Sequence, residues 1–209
     1  MSNITIGVLA LQGAFQRHIE MLGRCGVNSI SVRTADELAQ VSGLIIPGGE
    51  STTVGKLMVR YGLDKQIAEA AHQGMPVYGT CTGLILLAKE IVGSDQPRLG
   101  LMDVTVLRNA FGRQVDSFEV DIDIDIDEIG PPPIRAVFIR APYVVEVRDG
   151  AQVLARCDDK IVLVRQGNLL GGAFHPELTD DARLHEYFIG MVRQSLAAES
   201  VAGPESSAR

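Results

Sequence analysis

The sequence predicts an α/β fold: a three-layer open sheet, largely parallel, with an antiparallel, strand-rich C-terminal half. Three observations predict it. Apolar runs and helical periods alternate from Ile4 to Ile91, short strands separated by turns follow Gly93, and one amphipathic helix closes the chain. Alternating strands and helices build a parallel sheet covered by helices. The 209 residues are 46% hydrophobic and 22% charged, the balance of a globular chain with a sizeable core.

Each element has its own warrant. Ile4 to Leu11 is apolar without alternation, as in a strand buried on both faces. Phe15 to Cys25 follows with helical spacing at Phe15, Ile19 and Leu22. Asn28 to Val32 and Gly43 to Ile46 read as the next strands, the latter cut by Pro47-Gly48-Gly49. Thr52 to Tyr61 and Leu63 to His72 read as helices, Met75 to Tyr78 as a strand, and Leu84 to Ile91 as a helix. Beyond Gly93, strands are expected at Val104 to Leu107, Ser117 to Ile126, Ala136 to Ile139, Val144 to Val147, Ile161 to Arg165 and Leu169 to Phe174. Turns such as Arg148-Asp149-Gly150 separate them. Asp181 to Leu196 is the closing helix, with Leu184, Phe188 and Met191 on one face. Residues 1–198 are expected to form one domain, and 199–209, small and polar, a flexible tail.

The run Asp121-Ile122-Asp123-Ile124-Asp125-Ile126-Asp127 alternates strictly, so one face is apolar and the other carboxylate. Same-face neighbours on a strand stand about 7 Å apart. The row therefore reads as a solvated acidic face rather than a metal site. Pro131-Pro132-Pro133 follows as a stiff connector.

Composition also excludes function classes. Basic residues number 19 and acidic ones 26, a net charge of −7, which lacks the footprint of a nucleic-acid binder. No apolar run approaches the ~18 residues of a membrane span. The N-terminus has no basic segment ahead of an apolar run, so no signal peptide is read. The three cysteines, Cys25, Cys81 and Cys157, form no CxxC pair and no disulfide framework. A reducing, cytoplasmic setting is expected.

The chemistry centres on Gly79-Thr80-Cys81-Thr82-Gly83, entered by a strand and left by a helix. This is a nucleophile elbow, a tight turn that lifts the nucleophile above the sheet edge and needs small residues on either side. The helix N-terminus favours thiolate at Cys81. Cys25 and Cys157 lack that context and read as structural. A thiol nucleophile needs a base, and the base an orienting group. His18, His72 and His185 fall within predicted helices and read as surface or cap residues. His175 instead follows a strand and opens His175-Pro176-Glu177, whose spacing lets Glu177 hold the imidazole. Donors for an oxyanion are the Thr82 N–H and the loop Pro47-Gly48-Gly49-Glu50-Ser51, at the end of another strand. That loop lacks the ending of a phosphate loop. Its plain reading is a glycine turn with Ser51 capping a helix.

With Thr52-Thr53 added to that loop, Leu84 to the elbow, and His175-Pro176-Glu177, the set resembles the class I, triad-type glutamine amidotransferases. Longer motifs narrow the likeness to the family of glutaminase subunits of pyridoxal 5′-phosphate synthase. These are Gly7-Val8-Leu9-Ala10-Leu11-Gln12-Gly13, Arg108-Asn109, Phe111 to Glu119, Phe138-Ile139-Arg140-Ala141-Pro142 and Phe174 to Thr179. The resemblance spans Ile4 to Leu196. It implies Cys81 as nucleophile with His175 and Glu177 completing a triad. Gly49, Glu50 and Ser51 would form the glutamine-binding loop, Arg108 a substrate contact, and Ile139 with Arg140 a further glutamine-contacting pair. Gly49 and Thr82 would hold the oxyanion, with Gln12 behind the loop. The family often has alanine where this chain has Thr82. The resemblance implies hydrolysis of L-glutamine without metal or organic cofactor. Ammonia would pass to a synthase subunit that makes pyridoxal 5′-phosphate from a pentose phosphate and a triose phosphate, in a large hetero-oligomer with glutaminase subunits on a dodecameric synthase core. The triad alone also fits a γ-glutamyl peptidase, a DJ-1-like hydrolase, or a glutaminase of histidine or anthranilate synthesis. A catalytically silent docking subunit would be free to lose Cys81, His175 and Glu177.

Overall fold

The computed structural model describes residues 4–109 and 117–202. Phe111 to Asp116 of the longer motif and 203–209 of the expected tail lie outside the described residues. In chain order the elements are β1 (Thr5–Leu9), α1 (Phe15–Arg24), β2 (Asn28–Val32), α2 (Ala35–Leu38), β3 (Gly43–Ile46), α3 (Ser51–Tyr61), α4 (Leu63–His72), β4 (Val77–Thr80) and α5 (Thr82–Leu87). There follow β5 (Ala88–Ile91), β6 (Met102–Leu107), β7 (Ser117–Ile122), β8 (Ile134–Ile139), β9 (Tyr143–Val147), β10 (Gln152–Cys157), β11 (Lys160–Gln166), β12 (Leu169–Gly172) and α6 (Arg183–Ala202).

Ten strands form one sheet in the order β2-β1-β3-β4-β12-β11-β9-β6-β5, with β10 paired to β11. From β2 to β12 every pairing is parallel. Here β3, β4 and β12 are buried along their whole length, which is why, Thr80 at the end of β4 aside, their sequences are apolar or glycine without alternation. Beyond β12 the pairings to β11, β9 and β6 are antiparallel, and β5 returns parallel to β6. The parallel part sends the C-terminal ends of β1, β3, β4 and β12 to one edge. That edge is where open α/β sheets place their ligands.

Several expectations are corrected. The helix expected over Leu84 to Ile91 stops at Leu87, and Ala88 turns extended with φ −62° and ψ 140°. All six residues of α5 are buried, so it has no polar face with which to continue along the surface. The remainder becomes β5, whose exposed Lys89 and Glu90 pair with Asp103 and Arg148. The strand expected over Ser117 to Ile126 ends at Ile122 and pairs with β8 outside the main sheet. The Asp125 N–H then bonds the Leu154 carbonyl of β10, a strand the sequence reading did not place. The alternation still sets burial: Ile122 and Ile126 are buried, while Asp121, Asp123, Asp125 and Asp127 are exposed. Among the described residues no group of acidic, histidine or cysteine side chains comes together as a metal site. α6 runs on to Ala202, past the point where the tail was expected. No helix among the described residues is long and apolar enough to cross a membrane.

Candidate active site

Cys81 links β4 to α5 in a strained conformation, φ 50° and ψ −100°. Backbone of this kind costs about 1–3 kcal/mol and persists where packing holds it. The turn is tight: a Cβ at Gly79 would come within 2.4 Å of the Gly83 backbone. The Cys81 N–H donates to the Gly172 carbonyl at 2.7 Å, so β12 fixes the elbow and carries His175 to the same edge. Cys81 and His175 are each 7% exposed and Glu177 is 5% exposed. Their surroundings are dry enough to strengthen charge interactions.

His175 Nδ1 lies 2.8 Å from Glu177 Oε1, which leaves Nε2 as the basic nitrogen for Cys81. Burial works against the imidazolium. Hydrogen bonding and charge from Cys81 and Glu177 outweigh it, and the pKa of His175 is pushed up to about 10. For Glu177 burial alone would raise the pKa, but the charges of His18 and His175 hold it below the usual carboxylate value. Gly48 lies against the ring, since a Cβ there would come within 2.4 Å of His175 Cε1. The oxyanion loop and the base therefore share one contact.

One cavity of about 420 Å³ gathers the predicted residues. Cys81, Thr82 and His175 line it, together with Gln12, Gly49, Glu50 and Ser51 of the loop side and with Arg108, Ile139 and Arg140. Glu177 sits behind His175, off the cavity. Among the described residues four non-glycines have positive φ, and Cys81, Asn109 and Arg140 of these line this cavity. A larger cleft of about 690 Å³ lies between the Asp–Ile segment and β10. It holds Cys157 without a histidine, so its size says nothing about catalysis.

The loop residues divide their work. Glu50, not Ser51, is the N-cap of α3, and its carboxylate accepts from the N–H groups of Thr52 at 3.0 Å and Thr53 at 2.7 Å. The Thr53 hydroxyl gives the largest contribution to a Glu50 pKa of about 2. The Gln12 Oε1 accepts from the Glu50 N–H at 2.7 Å, which ties the end of β1 to the end of β3. As the first residue of α5, Thr82 offers an N–H with no acceptor within the helix.

Two groups lie behind the cavity that the sequence reading missed. His18 and His185 are fully buried, not surface residues, whereas His72 is exposed as expected. His18 Nδ1 lies 2.9 Å from His185 Nε2, and His18 Nε2 lies 3.2 Å from Thr80 Oγ1 and 3.4 Å from Glu177 Oε2. Burial lowers the pKa of both histidines, that of His185 to about 3. The pair backs Glu177, with His18 facing its carboxylate. Gln96 is the other missed residue. Its Oε1 accepts from Arg108 Nη1 at 2.5 Å and from the Ser51 hydroxyl at 3.2 Å, which links the arginine to the loop. No local pattern marks either residue.

A thiol beside a His–Glu pair, with the backbone N–H groups of a glycine loop and a helix start at the same sheet edge, is an arrangement that can carry out acyl transfer. Pyridoxal 5′-phosphate synthase subunit PdxT of Carboxydothermus hydrogenoformans is 58% identical over 191 residues, covering 91% of this chain and 99% of that one. The protein of the same name in Moorella thermoacetica is 59% identical over 187 residues, covering 90% and 98%. A crystal structure of a glutamine amidotransferase matches with a TM-score of 0.85 at 49% identity, over 90% of this chain and 98% of that one. A glutamine amidotransferase from Thermotoga maritima, 14% identical with a TM-score of 0.61 over 96% of this chain and 94% of that one, shares the fold. The model of the SNO glutamine amidotransferase family matches residues 8–194, a span that contains the loop, the elbow and the His–Glu pair, and the chain belongs to that family.

Proposed function

We propose that the chain is the glutaminase subunit of a pyridoxal 5′-phosphate synthase, a single glutaminase domain working in the reducing cytoplasm. The observation that carries this is the convergence of Cys81, the His175–Glu177 pair and the Gly48–Glu50 loop on one cavity. Relatives across most of the chain bear the name of that synthase. Three free thiols support the reducing setting.

Thiolate Cys81 attacks the carboxamide carbon of L-glutamine. The carbonyl becomes an oxyanion held by the N–H groups of Gly49 and Thr82. His175 gives its proton to the nitrogen as the C–N bond breaks, releasing ammonia and leaving a glutamyl thioester. His175 then takes a proton from water, which attacks the thioester. The C–S bond breaks to give glutamate and the thiolate. Glutamine is a zwitterion, and Arg108 holds its α-carboxylate by charge-assisted bonds, with Ile139 and Arg140 contacting it from the β8 side. Ammonia passes to the synthase subunit, in a hetero-oligomer carrying glutaminase subunits on a dodecameric core.

Glutamate release from L-glutamine is the test, with the chain alone, with its synthase subunit, and with Cys81→Ala. A low rate alone, a strong rise with the synthase and loss in the variant are expected. Full activity alone with no response to the synthase overturns the subunit assignment in favour of a free-standing hydrolase.

A further inference from the structure

Thr82 follows the nucleophile, and its side chain does something its backbone role does not require. The hydroxyl accepts from the Gly49 N–H at 3.2 Å and donates to the Gly49 carbonyl at 2.6 Å. Both polar groups of one oxyanion-loop residue are therefore engaged by a single side chain.

The loop is already held from its other side. The Gly48 carbonyl accepts from the Ala14 N–H at 3.0 Å, and the Glu50 N–H donates to Gln12 Oε1 at 2.7 Å. Gly13 touches the loop so closely that a Cβ there would come within 1.9 Å of the Gly48 oxygen. A trans peptide directs its C=O and N–H to opposite sides. Fixing the Gly48 carbonyl toward Ala14 thus aims the Gly49 N–H at the elbow, where Thr82 Oγ1 takes it.

We propose that the Thr82 hydroxyl is a latch on the oxyanion loop, occupying the Gly49 N–H in the resting subunit, so that turnover requires this donor to be surrendered to the developing oxyanion. The inference rests on the glutaminase reading, with Gly49 as an oxyanion donor. Thr82 is in this respect a positioning residue. A donor that must leave one acceptor for another stabilises the transition state by less than a free donor does. Removing the hydroxyl leaves the loop on its Ala14 and Gln12 anchors with the N–H free.

Thr82→Val keeps the branched shape without the hydroxyl, Thr82→Ala removes the side chain, and Thr82→Ser keeps the hydroxyl. kcat and KM for glutamate release are measured with and without the synthase subunit, beside thermal melts. Valine and alanine are expected to raise kcat of the isolated chain about five- to tenfold, the weight of one or two net hydrogen bonds. KM should hold, and stimulation by the synthase should shrink by the same factor. Serine should bring back the low rate. A purely structural role would move the melting temperature and leave kcat insensitive to the Val/Ser difference. If Thr82→Val does not fold, the Ala/Ser pair decides. A kcat that falls or stays unchanged in the hydroxyl-free variants, while the wild type releases glutamate, overturns the latch alone. A folded wild type that releases no glutamate in either state overturns the glutaminase reading and the latch with it.

Discussion

Two regions of the molecule put pattern to opposite uses. In the strand-rich C-terminal half of the chain the Asp–Ile repeat is the most regular stretch of the sequence, and its regularity sorts isoleucines inward and aspartates to water. At the parallel edge the chain is irregular. Glycines sit where a Cβ would collide, Cys81 and Arg140 take positive φ, and a three-residue His-Pro-Glu turn ends a strand. Regular alternation records burial, whereas departures from the expected backbone mark where side chains are held for chemistry. Substitutions in the two regions should accordingly differ in what they change as well as in how much.

The largest expected effect is at the elbow. Cys81→Ala should lower glutamate release by about 10⁴-fold or more, since removing a covalent nucleophile leaves only binding and the oxyanion donors. Its melting temperature should stay near the wild-type value, because the strained backbone loses only a sulfur. A variant that both melts early and retains turnover would erase the distinction between the two regions.

Glu177→Gln comes next. It keeps the shape but removes the anion that orients His175 and favours its protonation. A fall of about 10³–10⁴-fold in kcat is expected, as for other triads whose carboxylate becomes an amide. The charge has a signature in stability as well. The folded His175 pKa is raised from 6.5 to about 10, so its contribution is full below pH 6.5 and is lost as pH rises toward 10. Melting temperature followed across that window should fall, and in Glu177→Gln the fall should be smaller and end at lower pH. A pH-independent melting temperature would show that His175 carries no such charge.

Glu50→Ala sharpens the comparison at smaller scale. The Glu50 carboxylate caps α3, and loss of a cap of this kind costs about 1 kcal/mol. Its folded pKa is depressed to about 2, so the stabilisation is present above the usual carboxylate range and fades as pH falls toward that value. Denaturant melts of wild type and variant should differ near neutral pH and converge in acid. A constant difference down to low pH would exclude the charged cap.

How much was legible follows from the same contrast. The elbow, the Gly48–Gly49 loop and the His175–Glu177 pair are local, because neighbouring residues set their geometry, and the alternation of elements brings their strand ends to one edge. The capping box of α2, Thr34 with Glu37, was equally local and was overlooked. His18 and His185 were misplaced for a different reason. Their burial comes from a contact between α1 and α6 that no window of sequence contains. The same holds for Gln96, which meets Arg108 and Ser51 only after folding. The run Ala88–Ile91 reads as helix because it continues the short apolar stretch from Leu84, and such a stretch does not distinguish helix from strand. Pairing with β6 settled it.

The smallest expected effect closes the comparison within the Asp–Ile repeat itself. Asp123 and Asp125 are exposed on the acidic face, while Ile126, on the other face, is 7% exposed. The double substitution Asp123→Asn, Asp125→Asn removes two charges from a chain whose net charge is already −7. Exposed substitutions of this kind move stability by no more than about 0.5 kcal/mol, and glutamate release should be unchanged. Ile126→Ala, next door, removes buried methyl groups and should cost about 2–5 kcal/mol, again with kcat intact in the fraction that remains folded. Denaturant midpoints and kcat measured on the two variants together separate the possibilities. Equal destabilisation would mean that the acidic face is packed against something in solution. A loss of kcat in the aspartate variant would mean that the repeat reaches the active site. A large midpoint shift for Ile126→Ala alone, with both variants turning over normally, would leave the strongest pattern in the sequence holding structure and the irregular edge holding the chemistry.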